Sequence, residues 1–195
     1  MSRNERGARS IWGLRVIGPG GPARVVDLGR FGRRAQGVPW GGAFDLSSHR
    51  MANACVNNDP AAATLELAGA GGIQRAEGPP GSHLRLAWAG AHWSGWIDGV
   101  PLRMSPPMAF DLPAGSVLKW GGPPPGRSGH ARAYLAVAGG WTTPVLLGSR
   151  SREDPLERDT LIRCGLQPAP QRRIAWKPDP AWELPDTPKE EPTTF

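Results

Sequence analysis

The chain is predicted to be mainly β with one early α-helix, and three features of its 195 residues predict this. Gly (27) and Pro (22) are both abundant, and proline is tolerated at strand edges and turns but not inside helices or central strands. Short apolar runs recur from Gly69 at roughly 8–12-residue spacing, the pattern of a β-barrel or sandwich. Only the segment after Asp45 shows helical periodicity. The length allows one domain with a substantial core.

The elements follow in order. Residues 1–12 read as a flexible polar leader. Leu14–Ile17 is a short apolar run ending in a Gly/Pro turn cluster at 18–22, and Arg24–Leu28 reads as a second short strand. Asp45 is a good N-cap for a helix to about Asn57, with Met51, Ala52, Cys55 and Val56 as its apolar side. Ala61–Leu67 suits helix or strand. Leu84–Trp88 alternates as a strand. Trp93–Ile97 and Val100–Met104 flank Asp98-Gly99, a strong two-residue hairpin signal. Met108–Leu112 and Val117–Trp120 read as a second hairpin around Pro113-Ala114-Gly115. Ala131–Ala138 reads as a buried strand. The organised domain is 13–166. Residues 167–195 form a Pro-rich, charged tail in which Ile174, Trp176 and Trp182 are candidate docking residues.

The segment Val25–Asn53 is the unusual one. It packs Gly29, Gly32, Gly37, Gly41 and Gly42 among arginines, then switches to a helix. Glycine permits positive φ and close backbone approach at an entropic cost of roughly 0.5–1 kcal/mol per position in regular structure. A polar loop feeding a helix N-terminus is a place where binding chemistry is built.

The net charge is +6, but the arginines are scattered and no nucleic-acid-binding signature is present, so no nucleic-acid partner is expected. Cys55 and Cys164 are far apart and lack metal-ligand spacing, which fits reduced thiols and no metal. No apolar stretch approaches a membrane span, and the basic N-terminus lacks a following apolar region. A cytoplasmic location without membrane contact is expected.

Several side chains admit two readings. Asp45 could orient an amide or carbonyl, or simply cap the helix. His49 and Asn53 follow it at four-residue steps on one loose face; a carboxylate beside an imidazole suits proton transfer, while a lone helical histidine is often structural. Asp27 could bind ligand or tie down the loop. Arg30, Arg33 and Arg34 could clamp a carboxylate bidentately or remain solvated. Glu66 reads as structural, pairing with an arginine. Gly148-Ser149-Arg150-Ser151 could form an anion nest or a turn. Trp40 could cover a ligand or a protein interface, whereas Trp88, Trp93, Trp96 and Trp120 read mostly as core. Dinucleotide, Walker and serine-elbow motifs are absent.

The blocks Val26-Asp27-Leu28-Gly29-Arg30-x-Gly32, Gly37-Val38-Pro39, Gly41-Gly42-Ala43-Phe44-Asp45 and Arg50-Met51-Ala52-Asn53 carry a resemblance. So do Asn57-Asn58-Asp59 through Glu66, Ala89-Gly90-Ala91, Arg132–Gly140 and Leu147–Ser151. Together they resemble the biotin-dependent carboxyltransferase family, whose members are also called allophanate hydrolase subunit 2, the C subunit of 5-oxoprolinase, or KipA-like proteins. The resemblance implies a cyclophilin-like β-barrel and work beside a partner carboxyltransferase or 5-oxoprolinase subunit, KipI-like in kind. It implies a small amide or lactam substrate, with Asp45 and His49 catalytic. Asp27, Arg30, Gly41, Gly42, Asn53, Ser149 and Arg150 would bind substrate. No cofactor is expected to bind directly; carboxybiotin would arrive through a complex. The alternative it implies is a KipA-like regulatory protein that keeps the barrel without a complete site. The chain departs from the family pattern at Val26, where the family has Gln, at Asn57, where it has Gly, and at Arg152–Pro155. It is also shorter than a family domain, as expected of a shortened member.

Overall fold

The computed structural model describes residues 11–18, 20–69, 71–122 and 132–165. Most of the leader and the 167–195 tail therefore lie outside the described residues. In chain order the strands are β1 (Gly13–Gly18), β2 (Ala23–Val26), β3 (Thr64–Ala68), β4 (Gly72–Glu77), β5 (His83–Gly90), β6 (Gly95–Ile97), β7 (Val100–Leu102), β8 (Met108–Pro113), β9 (Val117–Trp120), β10 (Arg132–Val137) and β11 (Leu161–Arg163). Helix α1 (Leu46–Cys55) and a 3-10 turn (Arg34–Gln36) lie between β2 and β3.

Two antiparallel sheets result. One has the order β11-β1-β4-β9-β6-β7 and the other β2-β3-β10-β5-β8. Period-two alternation sorts the side chains. On β5, Leu84, Leu86 and Trp88 join a core shared with Leu14, Val16, Leu118 and Trp120 of the other sheet. The intervening Ala87 and Ala89 join Tyr134, Ala136 and Ala52 in a second core under α1. Small residues on that face let the helix lie close across β5 and β10. The fold is thus sheet, sheet and helix in layers, mainly β as expected. No strand among the described residues belongs to both sheets, so these pairings do not close them into one barrel.

The inner core is built on indoles. Trp88 packs against Trp93 and Trp120 with centroids 5.9 and 6.2 Å away. A buried indole N–H needs an acceptor: Trp88 Nε1 donates to Ala91 O at 2.9 Å and Trp141 Nε1 to Leu135 O at 3.0 Å.

The hairpin at Asp98-Gly99 forms as expected: Ile97 pairs with Val100, and both turn residues have positive φ. The second expected hairpin does not form. β8 pairs with β5, whereas β9 pairs with β4 and β6 in the other sheet. The turn between them crosses layers, held by Ala114 N to Ser82 O and Gly115 N to Ala76 O, both 2.9 Å. The ambiguous segment before Leu67 becomes β3, and β4 and β11 add strands that were not individually expected. Trp12, assigned to the leader, packs on the inner core, and its carbonyl accepts from Cys164 N.

Candidate functional site

Asp27 leaves β2 at its C-terminal end and becomes the hub of two loops. Its Oδ1 accepts from Gly29 N (2.8 Å), Ser149 Oγ (2.6 Å) and Ser151 Oγ (2.7 Å). Its Oδ2 accepts from Arg150 N at 2.5 Å. Ser151 Oγ also accepts from Asp27 N, and Ser149 Oγ from Ser151 N. Burial by itself pushes the Asp27 carboxyl up. The donors from Ser149, Arg150, Gly29 and Ser151 outweigh it and hold the group below its ordinary range. The carboxylate thus locks the 28–44 loop against the 143–151 loop.

Arg30 completes the lock. It is buried, and its Nη2 donates to Ser151 O at 2.6 Å and its Nε to Leu146 O at 3.4 Å. A Cβ at Gly41 would lie 2.9 Å from Arg30 Nη1, so the glycine leaves room for that end of the guanidinium. Arg150 instead turns along its own loop, with Nη1 donating to Thr143 O. All five loop glycines have positive φ. Gly42 is the tightest: at φ 87° its Cβ would lie 2.9 Å from Gly29 N and Leu28 C. Gly42→Ala should therefore cost about 2–3 kcal/mol through left-handed strain and backbone collision, read as a lower urea midpoint.

Three successive backbone donors then pin the entry to α1. Ala43 N donates to Asp27 O (2.8 Å), Phe44 N to Glu66 Oε2 (2.8 Å) and Asp45 N to Tyr134 Oη (2.7 Å). Tyr134 Oη donates in turn to Glu66 Oε2 at 2.7 Å. Burial pushes the Tyr134 phenol strongly up, and Glu66 adds to the shift against the Asp45 N–H, so the phenol stays protonated. Arg132 Nε faces Glu66 Oε1 at 3.4 Å, the arginine pairing expected of Glu66. Its guanidinium lies 4.1 Å from the Phe44 ring centroid, a cation–π contact. Phe44 is held 78% exposed by this arrangement.

The Asp45 carboxylate caps the helix. Oδ1 accepts from Ser47 N (3.0 Å) and Ser48 N (3.1 Å), and Oδ2 from Ser48 Oγ (2.5 Å). Asp45→Ala should cost about 1–2 kcal/mol of stability, whereas Asp45→Ser should recover most of it in the same thermal melt. His49 is fully buried. Its Nδ1 lies 2.9 Å from Thr64 Oγ1 and its Nε2 3.1 Å from Pro60 O. The carbonyl can only accept, so Nε2 carries the proton and Nδ1 accepts from Thr64. Burial is the main cause that depresses the imidazole pKa, against the Pro60 hydrogen bond. Asn53, also fully buried, donates to Ala62 O at 2.8 Å and accepts from Asn58 Nδ2 at 3.1 Å.

The structure thus brings Asp27, Arg30, Gly41, Gly42, Ser149 and Arg150 together where the two loops meet. Asp45, His49 and Asn53 share the helix, but their polar atoms turn to the cap, to Thr64 and Pro60, and to Ala62 and Asn58. Arg33 reaches Gln36, and Arg34 is exposed. No group of His, Cys, Asp or Glu among the described residues is placed to hold a metal ion. No helix among them is long and apolar enough to cross a membrane.

The sequence model of the "Carboxyltransferase domain, subdomain A and B" matches residues 36–189. The chain belongs to this carboxyltransferase-domain family. It is 33% identical over 148 residues to the C subunit of 5-oxoprolinase from Escherichia coli (strain K12), a match covering 72% of this chain and 42% of that one. The chain therefore spans less than half the length of this curated relative. The crystal structure of TTHA0988 superposes with a TM-score of 0.69 at 31% identity, over 85% of this chain and 62% of the other. Urea carboxylase of Kluyveromyces lactis shares the fold, with a TM-score of 0.70 at 24% identity, over 85% of this chain and 15% of the other.

Two parts of this candidate site escaped sequence reasoning. Tyr134 lay in a strand read only as buried, and Ser151 in a block read only as a nest or turn. The signal for Tyr134 was present: it is the polar-tipped residue on the alanine face of β10 (Arg132–Val137), where a buried hydroxyl requires a partner.

Proposed function

We propose that this chain belongs to an amide- or lactam-processing complex of the 5-oxoprolinase or urea carboxylase type, as one subunit acting with a KipI-like partner. The observation that carries this reading is the 33% identity to the 5-oxoprolinase relative over 148 residues. Arg30 supports it: a buried guanidinium held by two carbonyl oxygens has its Nη1 beside Gly41, which sets no side chain against it, and this fits a carboxylate on a substrate or on carboxybiotin delivered by the complex. In this reading Gly41 and Gly42 present backbone to the ligand, with Asp27, Ser149 and Arg150 shaping the loop junction. Asp45, His49 and Asn53 position the loop-to-helix entry and need no direct contact with substrate. The cyclophilin-like barrel and the cytoplasmic location belong to the same reading.

A KipA-like regulatory role is the second reading. It is favoured by one observation: both Asp45 oxygens and both His49 nitrogens already have partners inside the fold. The two separate on a co-expressed pair of this chain and its partner. The first expects co-purification and turnover of 5-oxoproline, or acceptance of carboxyl from carboxybiotin, with Arg30→Lys raising KM several-fold. Co-purification with neither activity would leave the regulatory reading. Failure to co-purify would overturn both.

A further inference from the structure

The loop junction carries apolar surface that the site does not use. Phe31 is 66% and Trp40 44% exposed, and their rings meet edge-on at 5.3 Å. Val145, Leu146 and Leu147 are exposed on the neighbouring loop, which Arg30 Nε ties to the first through Leu146 O. Large apolar side chains held in solvent on two mutually locked loops mark an interaction surface. Neither loop, over 28–44 or 139–152, contains an acidic residue, and Arg33 and Arg34 lie between Phe31 and Trp40. The two loops are therefore apolar and basic in composition, with no negative charge.

One segment of the same chain has the complementary character. Asp179-Pro180-Ala181-Trp182-Glu183-Leu184-Pro185-Asp186 sets two large apolar residues among three carboxylates, with no basic residue. We propose that this segment docks on the Phe31/Trp40/Val145–Leu147 surface, Trp182 and Leu184 seated on the apolar residues and the carboxylates facing Arg33 and Arg34.

Chain geometry permits it. The described chain ends beside the base of the second loop: Gly165 N donates to Gly140 O at 3.0 Å and Thr142 N to Arg163 O at 2.8 Å. From Gly140 to Leu147 an extended chain spans at most about 25 Å, while Gly165 to Trp182 can span about 55 Å. The segment also falls inside the family match, which runs to 189, so the domain pattern extends well past Gly165. Proline at 178, 180 and 185 lowers the entropy lost when such a segment is ordered.

The test places a photoreactive benzoylphenylalanine at Trp182 in the full chain and maps the cross-links by mass spectrometry. A substitution in this segment leaves the Asp27 lock and the cores intact. The proposal expects cross-links within the monomer band to residues 31–40 or 145–147. It expects their yield to fall about tenfold in an Arg33→Glu/Arg34→Glu variant, because like charges would then face each other. Cross-links found mainly in a dimer band would show a second copy as the occupant and overturn the proposal. Cross-links elsewhere, or a yield indifferent to the charge reversal, would also overturn it.

Discussion

Asp27→Ala is expected to lower folding stability by about 3–5 kcal/mol, the cost of deleting one side of a buried charged network. Four donors lose their acceptor: Gly29 N, Arg150 N and the Ser149 and Ser151 hydroxyls. Asp27→Asn should recover part of this. Its carbonyl can replace Oδ1 for three of the donors, but its amide would face Arg150 N, donor against donor. Urea denaturation followed by tryptophan fluorescence measures both. A loss below about 1 kcal/mol for the alanine variant would mean that the loops hold without the hub.

The pH dependence has a definite sign. Asp27 is depressed in the folded state relative to an ordinary carboxyl near 3.9. Its contribution is fully present above that unfolded value and is lost as pH falls through the lower folded value. The wild-type protein should therefore lose stability below about pH 4, and Asp27→Asn should lose less over the same interval. Ser149→Ala and Ser151→Ala each remove one of the donors that depress Asp27, so each should shift the wild-type transition toward higher pH.

Local chemistry was legible in the sequence wherever a few adjacent residues suffice. Asp98-Gly99 dictates its turn because both positions need positive φ. Asp45 dictates its cap because a short carboxylate reaches the N–H groups two and three residues on. The five loop glycines announced an irregular backbone, and each takes positive φ. The alternation of β5 and the burial of β10 were readable, but not which face met the helix. The failed hairpin shows the limit: β8 and β9 are close in sequence and turn-linked, yet their partners are chosen by the layers. The site has the same limit on a longer scale. Asp27 meets Ser149 and Ser151 across more than 120 residues of chain, and Phe44 meets Glu66 and Arg132. Residue type suggested that each needs a partner; only the fold supplies its name.

His49→Ala should cost about 2–4 kcal/mol. It empties a fully buried space between α1 and β3 and strips Thr64 Oγ1 and Pro60 O of their partner. The pH profile distinguishes the imidazole from mere bulk. Burial depresses its folded pKa below the ordinary 6.5, so the unfolded chain takes the proton first. The stability it contributes is fully present above about pH 6.5 and declines as pH falls through the folded value. The slope contributed by this one group cannot exceed about 1.4 kcal/mol per pH unit. Wild type should lose stability as pH falls below about 6.5, and His49→Ala should flatten that loss. Diethyl pyrocarbonate adds a probe of access, since acylation needs an exposed, unprotonated ring nitrogen. In the isolated chain, Nε2 is spent on Pro60 and Nδ1 on Thr64, so His49 should react only at the rate of unfolding. Reaction at the rate of a free imidazole would mean that the helix opens in the native state. His49 would then be available for proton transfer, and the structural role argued for it would fail.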